Sequence, residues 1–432
     1  MAYEYEQLNE RQQQRRLQQQ RQLARQRAAR KRKLVFAAVA LVVVLMLLVL
    51  LIRSCGGSTP ETTGPSLSAT VPTPPTSAAP TQPPEPETVI TLVAGGDLNV
   101  TDAVVASGET AGGYDYTHSF LDVAAVLARA DVTLLNLEGN LVGGPYGSAS
   151  ASAPTQLAQA LKNAGVDLVQ TANSYSVHNG IAGLRTTMDS LRQLGMEPLG
   201  TFASQQEYEA NQGFTICNIR GIRVAFIAFT KGVGSLGLPD GNEHCVNLLY
   251  KDYTTTYQKI DTDGIKAVLQ AAQDQQPDVT VALLHWGSEY NNIISKSQED
   301  IAKLMTENGV DVIIGNHSHY VQRVDHDAEN GTLIAWGLGD FYGDAEKANT
   351  NYSILLQVEI TRDNYTGETR ITGWDYVPIY TLTPERDGMS RQVVRLVDAI
   401  NQYENNLVGC VTPKAYENMK TALARIQSRV GQ

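Results

Sequence analysis

The sequence predicts an α/β (α+β) domain with a mixed sheet system, carried on a membrane anchor. Three observations lead there. Between Thr88 and Ala335 short β-branched runs alternate with stretches of helical spacing. Beyond Tyr352 the helical stretches drop out and two strand-like runs follow one another directly. Several of the apolar runs also stop at an Asp, Glu or His just past the last apolar residue, and open α/β sheets bind ligands at that edge.

Residues 1–33 carry ten Lys or Arg against three Glu, are rich in Gln and lack any β-branched residue, which predicts a helix-prone basic tail. Leu34 to Ile52 is an unbroken run of nineteen apolar residues, about 28 Å as a helix and enough to cross a bilayer. Arg30-Lys31-Arg32-Lys33 abuts the run on its N-terminal side and only Arg53 follows it. The positive-inside rule therefore predicts a single-pass protein of the cell membrane, with a cytoplasmic N-terminus and an extracellular main domain. Both segments are long for a cleaved signal peptide, and Arg53 argues against lipid attachment at Cys55. Residues 53–88 hold nine of the seventeen prolines among Ser, Thr and Ala, a composition that stays extended as a stalk.

Charge is divided unevenly. The first 33 residues carry +7, which leaves −18 for the other 399 of a chain at −11. So acidic an outer portion excludes nucleic acid as a partner, and an anionic ligand would need a local positive charge such as a metal. Besides Cys55, three cysteines lie in this portion, Cys217, Cys245 and Cys410, too few and too scattered for a disulfide framework; Cys217 with Cys245 is the pair expected to bridge outside the cell.

Within the domain, Val89–Ala94 reads as a strand running into Gly95-Gly96-Asp97-Leu98-Asn99, and Asp131–Leu135 as another ending in Asn136-Leu137-Glu138. Ser119–Ala130 between them has helical spacing. Helix over Gln156–Ala164, strand over Val166–Gln170, helix over Thr186–Gly195 and strand over Arg223–Phe229 continue the alternation. Helix over Asp261–Gln273 precedes a strand over Val279–Leu284 that stops at His285-Trp286-Gly287-Ser288-Glu289. Helix over Gln298–Glu307 leads to Val312-Ile313-Ile314-Gly315-Asn316, which delivers His317 and His319 at i and i+2, spacing that suits one metal site or two adjacent ones. A strand over Thr332–Ala335 precedes Leu338-Gly339-Asp340-Phe341, Tyr352–Ile360 and Arg370–Val377 read as antiparallel strands, and residues 382–432 as a helical extension. Taken singly, each acidic or His position also suits a solvated loop or a helix cap. Jointly, Asp97, Glu138, His285, His317 and His319 all follow buried runs, and carboxylate with imidazole suits Mn, Fe or Zn.

Gly96-Asp97, Asn136-Leu137-Glu138, His285-Trp286-Gly287-Ser288-Glu289, Gly315-Asn316-His317-Ser318-His319 and Leu338-Gly339-Asp340-Phe341, in that order, resemble the CapA capsule-synthesis family of poly-γ-glutamate systems. That family is similar to calcineurin-like metallophosphatases. Over residues 89–381 the resemblance implies a metallophosphatase-like four-layer sandwich, two mixed β-sheets flanked by helices, with a dinuclear centre of divalent ions. It implies metal ligation by Asp97, Glu138 as the bridge, His285, His317 and His319, with Asn99 where a ligating His is usual. Where the family reads Ala-Asn-Asn-His, this chain has Ala172-Asn173-Ser174-Tyr175, followed by His178. The role of proton donor then falls to Tyr175, ordinarily with a pKa near 10, or to His178. Asp340 stands where the family has Asn.

Three functions are compatible with this reading. The first is a cell-surface component of poly-γ-glutamate-type polymer synthesis or export, its metal centre binding an anionic polymer or carrier, with other capsule-synthesis proteins as partners. The second is an active metal-dependent phosphoesterase or amide hydrolase, and the third a degenerate surface binding module.

Overall fold

The computed structural model describes residues 85–431 apart from 235, 386–388 and 408–410. The predicted basic tail, the Leu34–Ile52 span, Cys55, Cys410 and all but the last residues of the predicted stalk lie outside the described residues. Among the described residues no helix is long and apolar enough to cross a membrane.

In chain order the strands are β1 (Glu87–Asn99), β2 (Glu109–Thr110), β3 (Gly113–Tyr114), β4 (Val132–Glu138), β5 (Leu168–Gln170), β6 (Glu197–Leu199), β7 (Phe214–Ile219), β8 (Ile222–Thr230), β9 (Val279–His285), β10 (Val312–Asn316), β11 (Val324–Asp327), β12 (Thr332–Ala335), β13 (Asp340–Tyr342), β14 (Tyr352–Asp363), β15 (Thr369–Leu382) and β16 (Gln392–Arg395). The described helices are α1 (Asp102–Ser107), α2 (Thr117–Leu127), α3 (Thr155–Ala164), α4 (Gly180–Gln193), α5 (Gln205–Asn211), α6 (Thr262–Asp274), α7 (Lys296–Thr306), α8 (Leu396–Glu404) and α9 (Pro413–Val430).

Two mixed sheets result. The first runs β16-β15-β14-β1-β4-β5-β6, with β13 also on β1; β1, β4, β5 and β6 are parallel, and β14 to β16 antiparallel. The second runs β11-β12-β10-β9-β8-β7, parallel through its four central strands and antiparallel at both edges. Strand alternation sends Leu92, Leu134 and Leu168 of the first sheet and Phe226, Leu283 and Ile314 of the second into one shared core. Val93, Leu135 and Val169 face the other way, onto Phe120 of α2 and Leu157 and Leu161 of α3. Ala282, Leu284 and Ile313 meet Ile265 and Leu269 of α6 and Ile301 and Met305 of α7 on the far side of the second sheet. The α/β reading with mixed sheets therefore holds.

Local chemistry sets the boundaries. Ser295 and Gln298 close a capping box at the start of α7, and Gly165 in the left-handed region (φ +110°) ends α3. The helix expected from Thr186 begins earlier, at Gly180, because the Val177–Gly180 turn leads straight into it. The C-terminal stretch contributes a strand as well as two helices: β16 pairs with β15, and Met419, Ala422 and Ile426 of α9 enter the shared core. One expectation is corrected. Cys217, in β7, and Cys245, in the Glu243–Cys245 turn, are both free thiols; Cys245 Sγ lies 3.5 Å from His244 Nε2, and burial raises the pKa of both.

Two backbones approach so closely at the sheet ends that a side chain has no room. A Cβ on Gly96 would lie 1.8 Å from the Gly339 carbonyl oxygen, and one on Gly315 2.0 Å from that of Trp336. The register of β1 on β4 shifts between Ala94 and Asp97, an irregularity that re-aims the residue after Gly96. Gly96→Ala should therefore push β13 from β1 and destabilise the domain by about 1–3 kcal/mol, as overpacking does; denaturant unfolding checks this, with a midpoint equal to wild type as the contrary result.

Candidate metal centre

The parallel strands of both sheets run their C-terminal ends to one place. Glu138 ends β4, His285 ends β9, Asp97 lies in the last turn of pleat of β1, and Asp340 begins β13. His317 and His319 follow β10. All six are buried, none more than 5% exposed.

They form two groups. Glu138, His285 and His317 each offer a donor atom, and these atoms lie within 4.8 Å of one another; Asp97, His319 and Asp340 do the same. The i, i+2 histidines therefore serve two adjacent sites. Left-handed backbone at His317 (φ +86°) and His319 (φ +56°) separates rings that an extended strand would align. Glu138 faces both groups: Oε1 lies 2.5 Å from His285 Nε2, and Oε2 4.0 Å from His319 Nε2.

Hydrogen bonds fix most of these donors. Thr230 Oγ1 meets His285 Nδ1 at 3.3 Å, leaving Nε2 turned to Glu138. Asn136 Nδ2 and the His317 backbone N–H donate to Asp97 at 2.7 and 3.0 Å. His319 Nδ1 lies 2.8 Å from Asp340 and 3.6 Å from Asp97, while Tyr290 stacks on its ring at 4.9 Å. His317 Nδ1 has no hydrogen-bond partner, although it is buried.

Electrostatics follow from burial. It raises Asp97 well above the usual carboxylate range, with the Glu138 charge adding to it, pushes Glu138 up to about 7, and raises Asp340. Burial also holds His285 and His317 well below the ordinary imidazole value, hence neutral and able to ligate. At His319 burial works in the same direction, but the carboxylates of Asp340, Glu138 and Asp97 overcome it and hold the ring protonated. Three dry carboxylates against one cationic imidazole, beside an orphaned buried nitrogen, form a donor set that a divalent cation fits.

The structure brings together five sequence-predicted residues: Asp97, Glu138, His285, His317 and His319. Asn99, paired with Glu138 in register, hydrogen-bonds the Asp340 carboxylate at the rim. Tyr175 lines the same pocket of about 180 Å³, and burial, then Glu138 and Glu289, push its hydroxyl up to about 12. His178 is exposed, its Nε2 3.5 Å from the Ala149 carbonyl oxygen, and lines neither pocket that opens on the donors. Asp340 is the donor that sequence reasoning noticed but did not place among the ligands. Its signal was the acidic residue after Gly339, in the same arrangement as Gly96-Asp97.

Residues 91–345 match the family model described as bacterial capsule synthesis protein PGA_cap. A PGA biosynthesis protein CapA of Bacillus subtilis is 24% identical over 54% of this chain and 57% of its own length. A capsule biosynthesis protein CapA of Bacillus anthracis is 28% identical over 50% of this chain and 49% of its own. The chain thus spans about half the length of these relatives. Among solved structures, a novel phosphatase from Mycoplasma pneumoniae aligns with 74% of this chain and 99% of its own, at 12% identity and a TM-score of 0.41. With more than half of its residues matched to that model, the chain belongs to the bacterial capsule synthesis protein family.

Proposed function

We propose that this protein acts at the cell surface in capsule or poly-γ-glutamate-type polymer synthesis or export, through a centre of divalent ions that engages an anionic polymer or its carrier. The single observation that carries this reading is the pair of buried donor groups at the meeting ends of the two sheets. Asp97, His319 and Asp340 would hold one ion and Glu138, His285 and His317 the other, with Glu138 between them and Asn99 steadying Asp340. Mn, Fe or Zn suits these donors, and when bound supplies Lewis acidity next to the two pockets. The relatives named for capsule and PGA biosynthesis support the biological role. The reading also places the Leu34–Ile52 span in the cell membrane, the tail inside and the domain outside, with other capsule-synthesis proteins as neighbours.

A second reading, engagement without turnover, is favoured by one observation. Tyr175 stands where the proton donor is expected, and a hydroxyl pushed up to about 12 gives up its proton poorly to a leaving group at neutral pH. His178 is exposed and lines neither pocket, its ring centre 5.8 Å from that of Tyr175.

Elemental mass spectrometry of the purified full chain should find about two transition-metal ions per molecule, and Glu138→Ala should lose both because its carboxylate serves both groups. His317→Ala should lose one. A folded wild-type protein without metal would sink the proposal.

Metal loading should also depend on pH in two stages. Burial keeps a proton on Glu138 up to about pH 7, so below that value the proton competes and apparent affinity falls about tenfold per pH unit. His319 holds its proton to higher pH, so the Asp97–His319–Asp340 group should load second as pH rises. Calorimetric metal titrations between about pH 6 and 9 check this; simultaneous, pH-independent loading would contradict it.

A further inference from the structure

Two pockets open on the donor residues, and they differ in charge. The one of about 180 Å³ on the His319 side is lined by five carboxylates, Glu138, Glu289, Asp340, Asp344 and Glu346, against Lys347. An anion entering there meets a wall of its own sign. The other, of about 310 Å³ on the His317 side, is lined by a single carboxylate, Glu289, together with Lys231 and the hydroxyl residues Ser174 and Ser288.

Lys231 is the first residue after β8, and its backbone N–H donates to the His285 carbonyl, which ties it to the end of β9. Its ammonium is steered by neutral partners: Nζ donates to the Gly287 carbonyl at 2.6 Å and lies 4.7 Å from the centre of the Tyr257 ring. Among the described residues no carboxylate forms an ion pair with it, although it is half-buried. By contrast, most other half-buried cations of the domain have one, as Arg192 does with Glu197 and Glu207 and Arg362 with Asp278. A lysine fixed by a carbonyl and a ring, beside two hydroxyls, keeps donors available for an anionic oxygen group.

We propose that Lys231, with Ser174 and Ser288, forms a subsite for one carboxylate or phosphate group of the molecule engaged at the Glu138–His285–His317 group, so that substrate approaches from the His317 side. This rests on the metal-centre reading above and adds a direction and a binding group to it. Lys231 acts here as a specificity-determining residue: it selects anionic molecules in a domain whose surface charge otherwise disfavours them. Glu289, which lines both pockets, marks the boundary beyond which a second negative group is repelled.

The test is calorimetric binding of inorganic phosphate and, separately, glutarate to the metal-loaded full chain at constant ionic strength. Metal content and melting temperature are measured on the same samples. Lys231→Gln and Lys231→Met should weaken binding about tenfold or more, the worth of a hydrogen bond to a charged group, with metal content unchanged. Ser288→Ala, which leaves the lysine in place, should weaken it about threefold. Lys303→Gln, the same charge change on the exposed face of α7, should leave the affinity as in wild type. The tighter of the two probes tells phosphate from carboxylate. Wild-type affinity in the Lys231 variants, or no binding of either probe to wild type, overturns the subsite, as does loss of metal from those variants, which would make Lys231 structural. A metal-free wild type refutes the metal centre alone; Lys231-dependent phosphate binding would then still support the subsite, and binding independent of Lys231 would overturn it.

Discussion

The structure depends on keeping three carboxylates and three imidazoles dry where two sheets meet. Asp97, Glu138 and Asp340 repel one another in a medium that screens charge poorly, and His319 is the cation that hydrogen-bonds among them. The surrounding amides offset part of that cost. Asn136 and the His317 N–H serve Asp97, and Asn316 Nδ2 reaches across from the second sheet to Gln170 Oε1 of the first at 2.9 Å. That last bond ties the ends of β10 and β5 together, so the two sheets cannot slide without breaking a buried polar contact. The glycines at 96 and 315 serve the same end, since only a bare backbone lets β13 and the residues after β12 approach closely enough to bring Asp340 alongside Asp97.

Much of this is legible in the sequence, and the parts that are not share a cause. β1, β4, β9 and β10 are buried on both faces, so their β-branched runs stand out and the residues after them can be named as candidates. β6 is three residues long and β7 is a partly exposed edge strand, so neither has a run or an alternation to find. β13 is a strand only because it meets β1, more than 240 residues earlier, through a contact that no local pattern encodes; Asp340 is visible in its motif, but its place beside Asp97 depends on that contact. His178 failed for the opposite reason. Three residues after Tyr175 is close in sequence, but the backbone turns from Tyr175 to His178 and from Val177 to Gly180, and this carries the ring to the surface. Likewise the i, i+2 rule for His317 and His319 holds for an extended backbone, and here both residues are left-handed.

The charge pattern gives the site a direction. On the proposed reading, an acidic domain that engages an anion must expose its metal without exposing the anion to its own carboxylates. Tyr290 contributes to this arrangement by stacking on His319 with one face while Lys347 Nζ sits 3.5 Å from its ring centre. The stack closes over the Asp97–His319–Asp340 group and gives the acidic pocket an aromatic wall. On the other side Tyr257 lines the pocket together with the His317 ring, and holds Lys231 by a cation–π contact. One ion would thus be shielded and the other approachable, an asymmetry that follows from which loop each histidine faces.

Finally, the relay Asp97–Asn136–Asn173–Tyr175 separates position from chemistry. Asn136 donates to Asp97, Asn173 donates to Asn136 Oδ1 at 3.0 Å and to the Leu137 carbonyl at 2.7 Å, and Asn173 Oδ1 accepts from the Tyr175 N–H at 2.9 Å. Asn140 adds a bond to the Tyr175 carbonyl. Every one of these contacts at Tyr175 uses its backbone, so the loop is held at the mouth of the site whatever side chain it carries. The Ser174 and Tyr175 side chains therefore change what the loop can do chemically without changing where it sits. A loop held by its backbone can lose proton donation and still keep its place beside the two donor groups, so on the proposed reading binding and turnover are separable.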